Sequence, residues 1–153
     1  MTPIVSDHEL IRNTIARYCL GIDFREWDLF AKAFTKDVKI IYPDPIGSLD
    51  GIPSTVAKVQ AMLGSLQTQH ALSTQVIELI DNKRAKATTY CTAFHFGNGE
   101  DEGRDVTGWG AYKDDLVKGA VAGEGWRIVR REILPIGPLK GDAALLATQG
   151  AHR

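Results

Sequence analysis

The feature that most constrains this chain is a change in hydrophobic period about two fifths of the way along it. From Leu10 onward, Ile11, Ile15, Tyr18, Cys19 and Ile22 recur at three- and four-residue steps, the signature of one buried helical stripe. Ser6 stands three residues ahead of Glu9 just before that stripe, a capping-box start. Asp23-Phe24-Arg25-Glu26 repeats the cap logic, with Asp23 as N-cap, for a second short helix carrying Trp27, Phe30, Ala31 and Phe34. Val38 to Tyr42 reads as a strand that stops at Pro43, followed by turn chemistry at Asp44-Pro45-Ile46-Gly47. Pro53 suits the first turn of a third helix reaching about Gly64. Beyond it the period falls to two: segments near 69–80, 84–96, 104–113 and 125–135 alternate, separated by Asp81-Asn82, Gly97-Asn98-Gly99 and a glycine-rich stretch ending at Gly125.

Helix, helix, strand, helix and then four long strands predict an α+β domain with helices packed on one side of an antiparallel sheet. To cover its helices the sheet must curl, and Gly108 and Gly110 inside a strand pattern are the expected bends or bulges. At 153 residues the chain suits one domain, assigned to 1–136. The segment 137–153 is a tail in which Asp142 to Leu146 forms either a last helical turn over the open end or a fraying terminus.

Bulk properties narrow the function classes. No apolar run nears the roughly 18 residues that a membrane span needs, and Met1 to His8 lacks a secretory pattern, so the cytoplasm is the expected compartment. A net charge of −1, with scattered lysines and arginines, leaves no electrostatic footprint for nucleic acid. Cys19 and Cys91 have no metal or redox spacing and read as buried free thiols. With no phosphate loop, metal-spaced cluster or nucleophile elbow, the expectation is proton-transfer chemistry without cofactor or metal.

The chemistry-bearing candidates are dispersed. His70, near a strand start, should share a face with Leu72 and Thr74; a lone histidine there is either structural or functional. His95 alternates with Ala85, Ala87, Thr89, Cys91 and Ala93, small side chains that leave room for a cavity above the sheet. On the last strand Val129, Arg131 and Ile133 share one face, and an arginine between apolar residues requires an anionic partner or a polar ligand. Arg130 and Glu132 form an ordinary surface pair. Asp23 also ends the first helix, where the helix dipole disfavours a carboxylate unless a cation or hydrogen bond compensates. Tyr18 and Tyr42 are either core aromatics or hydroxyl donors to a substrate carbonyl.

The stretches Ile11 to Tyr18, Asp23 to Asp28, Phe34-Thr35-Lys36-Asp37, Tyr42-Pro43, Thr68-Gln69-His70 and Gly125-Trp126-Arg127-Ile128 resemble the SnoaL-like branch of the NTF2-like superfamily. The resemblance implies a cone built from a curved antiparallel (mixed) sheet and three helices around a central cavity. Within the branch the chain is most similar to the scytalone dehydratases and the bile acid dehydratases. Their pattern implies catalytic roles for His70, Asp23, His95, Tyr42 and Tyr18. His70 is then a base oriented by Asp23, a tyrosine donates to the enolate, and His95 is the acid. It places Arg131, Phe24, Cys91, Val106 and Ile133 against the substrate, and it implies a homodimer. Where scytalone dehydratases carry a second tyrosine, a serine and an asparagine, this chain has Ile22, Val106 and Gly108, so a more apolar occupant is expected. The implied function is a lyase or isomerase, foremost a dehydratase, acting on a small hydrophobic carbonyl or polycyclic metabolite. An isomerase or cyclase of secondary metabolism and a non-catalytic binding module are the alternatives.

Overall fold

The computed structural model describes residues 3–121 and 124–148. Helix α1 spans Asp7–Asp23; the Ser6 hydroxyl accepts the Glu9 backbone N–H at 3.2 Å and so caps it. Its buried stripe is the expected one, Ile11, Ile15, Tyr18, Cys19 and Ile22, joined by Thr14 and Gly21. Helix α2 (Trp27–Lys32) crosses close above the end of α1. Gly21 permits the crossing, because a Cβ there would sit 2.5 Å from the backbone nitrogen of Phe30.

Strands β1 (Phe34–Ile41) and β2 (Ser48–Asp50) precede helix α3 (Ile52–Leu63), and β3 (Gln67–Leu79), β4 (Arg84–Phe96), β5 (Asp105–Lys118) and β6 (Trp126–Pro135) follow it. The curved, unclosed sheet has the order β2-β1-β6-β5-β4-β3, with β1 parallel to β6 and the remaining neighbours antiparallel. Phe30, Phe34, Ile11, Ile15, Val38, Ile40 and Ile128 fill the space between helices and sheet. The short strand β7 (Lys140–Gly141) lies against the start of β5, and helix α4 (Ala144–Thr148) buries Leu145 against Leu66 and Val106.

Several expectations are corrected. Bulges do not fall at Gly108 and Gly110: β4 and β5 pair without a shift from Arg84 and Val117 to Phe96 and Asp105. The register shifts instead between Leu72 and Gln75 on β3, between Phe34 and Lys39 on β1, and between Asp115 and Leu116 opposite β6. A one-residue slip exchanges the faces of a strand. Ile128, not Val129, therefore shares the inner face with Arg131, and Thr74 is exposed while His70 is turned inward. Strand β5 also runs five residues past its expected end, because Asp114 points inward to a partner rather than breaking the strand. Finally, β1 begins at Phe34 rather than Val38, and β2 follows the turn where none was expected.

Candidate active site

Asp23 does not cap α2. Glu26 occupies the N-cap position of that helix without a side-chain cap bond, while the Asp23 carboxylate reaches across to β3. Its Oδ1 lies 2.7 Å from His70 Nδ1 and accepts the Thr68 hydroxyl at 2.9 Å; its Oδ2 accepts the His70 backbone N–H at 2.8 Å. Both side chains are largely buried, at 8% and 12% exposure, which keeps water from competing for the pair. Burial pushes the Asp23 carboxyl up, but the ring and backbone hydrogen bonds from His70, its charge and the Thr68 hydroxyl outweigh this and hold it below the usual carboxylate range. A carboxylate is an acceptor only, so His70 carries its proton on Nδ1 and leaves Nε2 as the basic nitrogen.

The ring of His70 meets two other aromatic groups edge-on: Tyr18 and His95, each with centroids 6.2 Å away. His95 lies on β4 in the small-residue row, whose Ala85, Ala87, Thr89 and Cys91 are all buried. Its Nδ1 is 3.2 Å from the Val106 carbonyl, which can only accept, so the free Nε2 of a neutral His95 is likewise an acceptor. Burial holds His95 below its ordinary value; the Val106 carbonyl opposes this and the neighbouring His70 adds to it. His95 and Tyr42 line a cavity of about 260 Å³ together with Cys91, Gly108, Tyr112 and Ile133. Gly108 and Gly110 face Ala93 and Cys91 across the ladder and lie on the cavity wall, where their missing side chains leave room. The hydroxyls of Tyr18 and Tyr42 are hydrogen-bonded, and burial raises both above the ordinary tyrosine value. The Tyr112 hydroxyl donates to Cys91 Sγ at 3.2 Å, while burial pushes the Cys19 thiol up to about 12.

Arg131 is wholly buried, and its anionic partner is Asp114, directly opposite on β5. Nε and Nη2 donate to the two carboxylate oxygens at 2.6 and 2.8 Å. The guanidinium is held between the rings of Tyr18 and Tyr112, 4.3 and 4.1 Å from their centroids. Burial disfavours its charge, yet Asp114 more than offsets that and raises Arg131 above its ordinary value. Nη1 has no hydrogen-bond partner among the described residues. Asp114 is the site-region residue that the sequence reading missed. Alternation continued past residue 113 would have found it, since Tyr112, Asp114 and Leu116 are the inward residues of β5.

The structure thus brings Asp23, His70, His95, Tyr18 and Tyr42 into one region, with Cys91 and Ile133 on the cavity wall. Two proposed substrate contacts lie elsewhere. Phe24 is 70% exposed on the outside, because α1 ends there and the backbone turns away. Val106 is buried under α4 and offers its carbonyl to His95 instead of its side chain to the cavity. A larger depression of about 550 Å³, rimmed by Arg17, Lys32 and Arg127, is lined by none of these groups. Among the described residues no three His, Cys, Asp or Glu side chains converge closely enough to hold a metal ion, and no helix is long and apolar enough to cross a membrane.

Helices seated in a curved mixed sheet, with an aspartate–histidine pair beside an apolar hollow, define a cone of the NTF2-like class. The chain belongs to the SnoaL-like domain family, which matches residues 3–132. It is 24% identical over 132 residues to "Terrestric acid biosynthesis cluster protein E" of Penicillium crustosum, a match covering 84% of this chain and 82% of that protein. The Kfla4162 protein of Kribbella flavida superposes with a TM-score of 0.78 at 23% identity, over 93% of this chain and 97% of the other. A candidate scytalone dehydratase from Novosphingobium aromaticivorans superposes with a TM-score of 0.74 at 19% identity, over 88% and 87% of the two chains.

Proposed function

We propose that the protein is a cofactor-independent lyase that dehydrates a small, neutral β-hydroxy carbonyl compound by general acid–base catalysis. The observation that carries this reading is the 2.7 Å contact between Asp23 and His70, which leaves the second ring nitrogen basic in a ring that meets His95 of the cavity wall at 6.2 Å. His70 Nε2 takes the proton next to the carbonyl, and Asp23 stabilises the imidazolium that forms. Tyr42, hydrogen-bonded to Tyr18, donates to the developing enolate oxygen, a contribution worth roughly 3 kcal/mol at comparable sites. The C–O bond then breaks and the departing hydroxide takes the proton back from His70, so water leaves and a carbon–carbon double bond remains. The acid role moves from His95 to His70, since burial favours a neutral His95 whose Nε2 accepts. In that state His95 orients the leaving hydroxyl by accepting from it.

A polar substrate end finds little to bind, because Asp114 takes Nε and Nη2 of the buried Arg131 and the cavity wall is almost wholly apolar. The same base carries out double-bond isomerisation or ring closure when the substrate has no β-hydroxyl. The similarity to a biosynthesis-cluster protein supports a substrate from secondary metabolism. A homodimer completes the reading, supported by exposed Val76 and Tyr90 on neighbouring sheet strands; sedimentation at micromolar concentration tests it, and a monomer at all concentrations rejects it.

The decisive experiment incubates the protein with a panel of cyclic β-hydroxy ketones in D2O and follows elimination and α-deuteration by NMR. The wild type should exchange or eliminate, and His70→Asn should lower the rate by about 10²- to 10⁴-fold. Equal rates in both proteins would refute the assignment.

A further inference from the structure

We infer that Arg25 is a positioning residue that, acting through Thr68, directs the Thr68 proton onto Asp23 and holds the carboxylate turned to His70, so sustaining the tautomer which that carboxylate sets. The inference rests on the reading of Asp23 and His70 as the acid–base pair. Arg25 is the one non-glycine residue with positive φ (58°) among those described, a conformation that side chains bearing a Cβ adopt only when their surroundings impose it. This turn sends the side chain back across the end of α1. There Nη1 donates to the Ile22 carbonyl at 2.5 Å and to Thr68 Oγ1 at 3.2 Å, while Nη2 donates to the Leu66 carbonyl. One guanidinium therefore joins the last turn of α1 to the entry of β3, the two elements that carry Asp23 and His70.

The chemistry of the donors fixes the rest. A guanidinium only donates, so the Thr68 oxygen must accept from it. The single Thr68 proton is then directed at Asp23 Oδ1, 2.9 Å away. That oxygen already faces His70 Nδ1, and its partner Oδ2 takes the His70 backbone N–H. Asp23 is held as an acceptor on every side, and the proton shared with the ring is assigned to His70 Nδ1. The cation also sits at the α1 C-terminus, where it offsets the dipole that disfavours a carboxylate. The charged and titratable groups gathered here are Asp23, Tyr18 and Cys19 on α1, His70 on β3, His95 and Cys91 on β4, and Arg25 itself, whose charge further opposes protonation of His95.

The test reads the tautomer directly and needs no substrate. In 15N-labelled protein, the wild type should show neutral His70 with its proton on Nδ1 and a low-field resonance for the proton facing Asp23. Thr68→Val keeps all the arginine's backbone contacts; it should weaken that resonance and shift part of His70 to the Nε2–H form, with little change in Tm. Arg25→Met should do the same and also lower Tm, and Arg25→Lys should restore part of the signal. An unchanged His70 spectrum in folded Thr68→Val and Arg25→Met proteins would overturn the inference and leave Arg25 a purely structural clamp. Failure of the function reading looks different: wild-type tautomer and relay intact, with no loss of turnover in His70→Asn.

Discussion

Two carboxylates lie close together in this molecule, each paired with a nitrogen-bearing side chain, and the two pairs differ in what they leave unused. Arg131 and Asp114 meet in a doubly hydrogen-bonded fork with both side chains at zero exposure, roofed by Tyr18 and Tyr112. Asp23 and His70 meet through a single ring nitrogen, retain some exposure, and keep a second nitrogen free. The first pair spends its charge on holding strands and aromatic rings in place. The second keeps a proton acceptor in reserve, which is what a catalytic base requires.

The largest effect expected from breaking this contrast is on stability. Arg131→Met leaves Asp114 as an uncompensated buried charge and should cost about 3–5 kcal/mol, measured by urea unfolding. The double variant Arg131→Met/Asp114→Leu should recover most of that loss, since no charge is then stranded. If the double variant also keeps the His70 tautomer, the pair is architectural; loss of turnover in a stable double variant would give it a part in the chemistry.

Asp23→Asn should behave in the opposite way, lowering turnover by about 10²-fold or more while costing on the order of 1 kcal/mol in stability. With its oxygen in the place of Oδ2, asparagine still accepts from the His70 backbone, while its amide nitrogen in the place of Oδ1 presents N–H to the ring, reverses the tautomer and forfeits the bond from the Thr68 hydroxyl. Equal losses of stability in Arg131→Met and Asp23→Asn would erase the distinction drawn above.

Acid titration separates the groups by pH window. His95 has a folded-state pKa below its ordinary 6.5, so the unfolded chain binds the proton more readily. Stability should therefore fall as pH drops below 6.5 and level off beneath the lowered folded value. Asp23, also depressed, contributes stability that is fully present above its ordinary 3.8 and is lost as pH falls through its folded value. His95→Gln should flatten the upper segment and Asp23→Asn the lower one, as followed by thermal melts across pH 3–8. The smallest effect belongs to Tyr112→Phe: it keeps the ring over Arg131 and removes only the hydroxyl bond to Cys91, costing less than about 1 kcal/mol in the same unfolding assay.

Much of the architecture was legible because periodicity is a local property. The α1 stripe, the Ser6 cap, the proline opening of α3 and the small-residue row of β4 all appear where the pattern placed them. What misled the reading were features set by neighbours in space. The β3 and β6 bulges changed faces at residues whose own sequence carries no turn signal. The strand segment was ended at 113, one residue before Asp114, whose partner lies on another strand, and Asp23 looked like a cap because its partners lie 45 and 47 residues away. Phe24, which the resemblance placed against the substrate, was turned outward by the end of α1.

By itself the sequence determined the order of helices and strands, the side of each that is apolar, and the small side chains that keep the cone hollow. These follow from residue spacing, and burial of apolar surface enforces them wherever the segment ends up. Only the tertiary structure decided which charged groups meet, which nitrogen of His70 stays free and that Arg131 is already neutralised. Those outcomes depend on distances between strands and on hydrogen-bond direction, neither of which any single segment encodes.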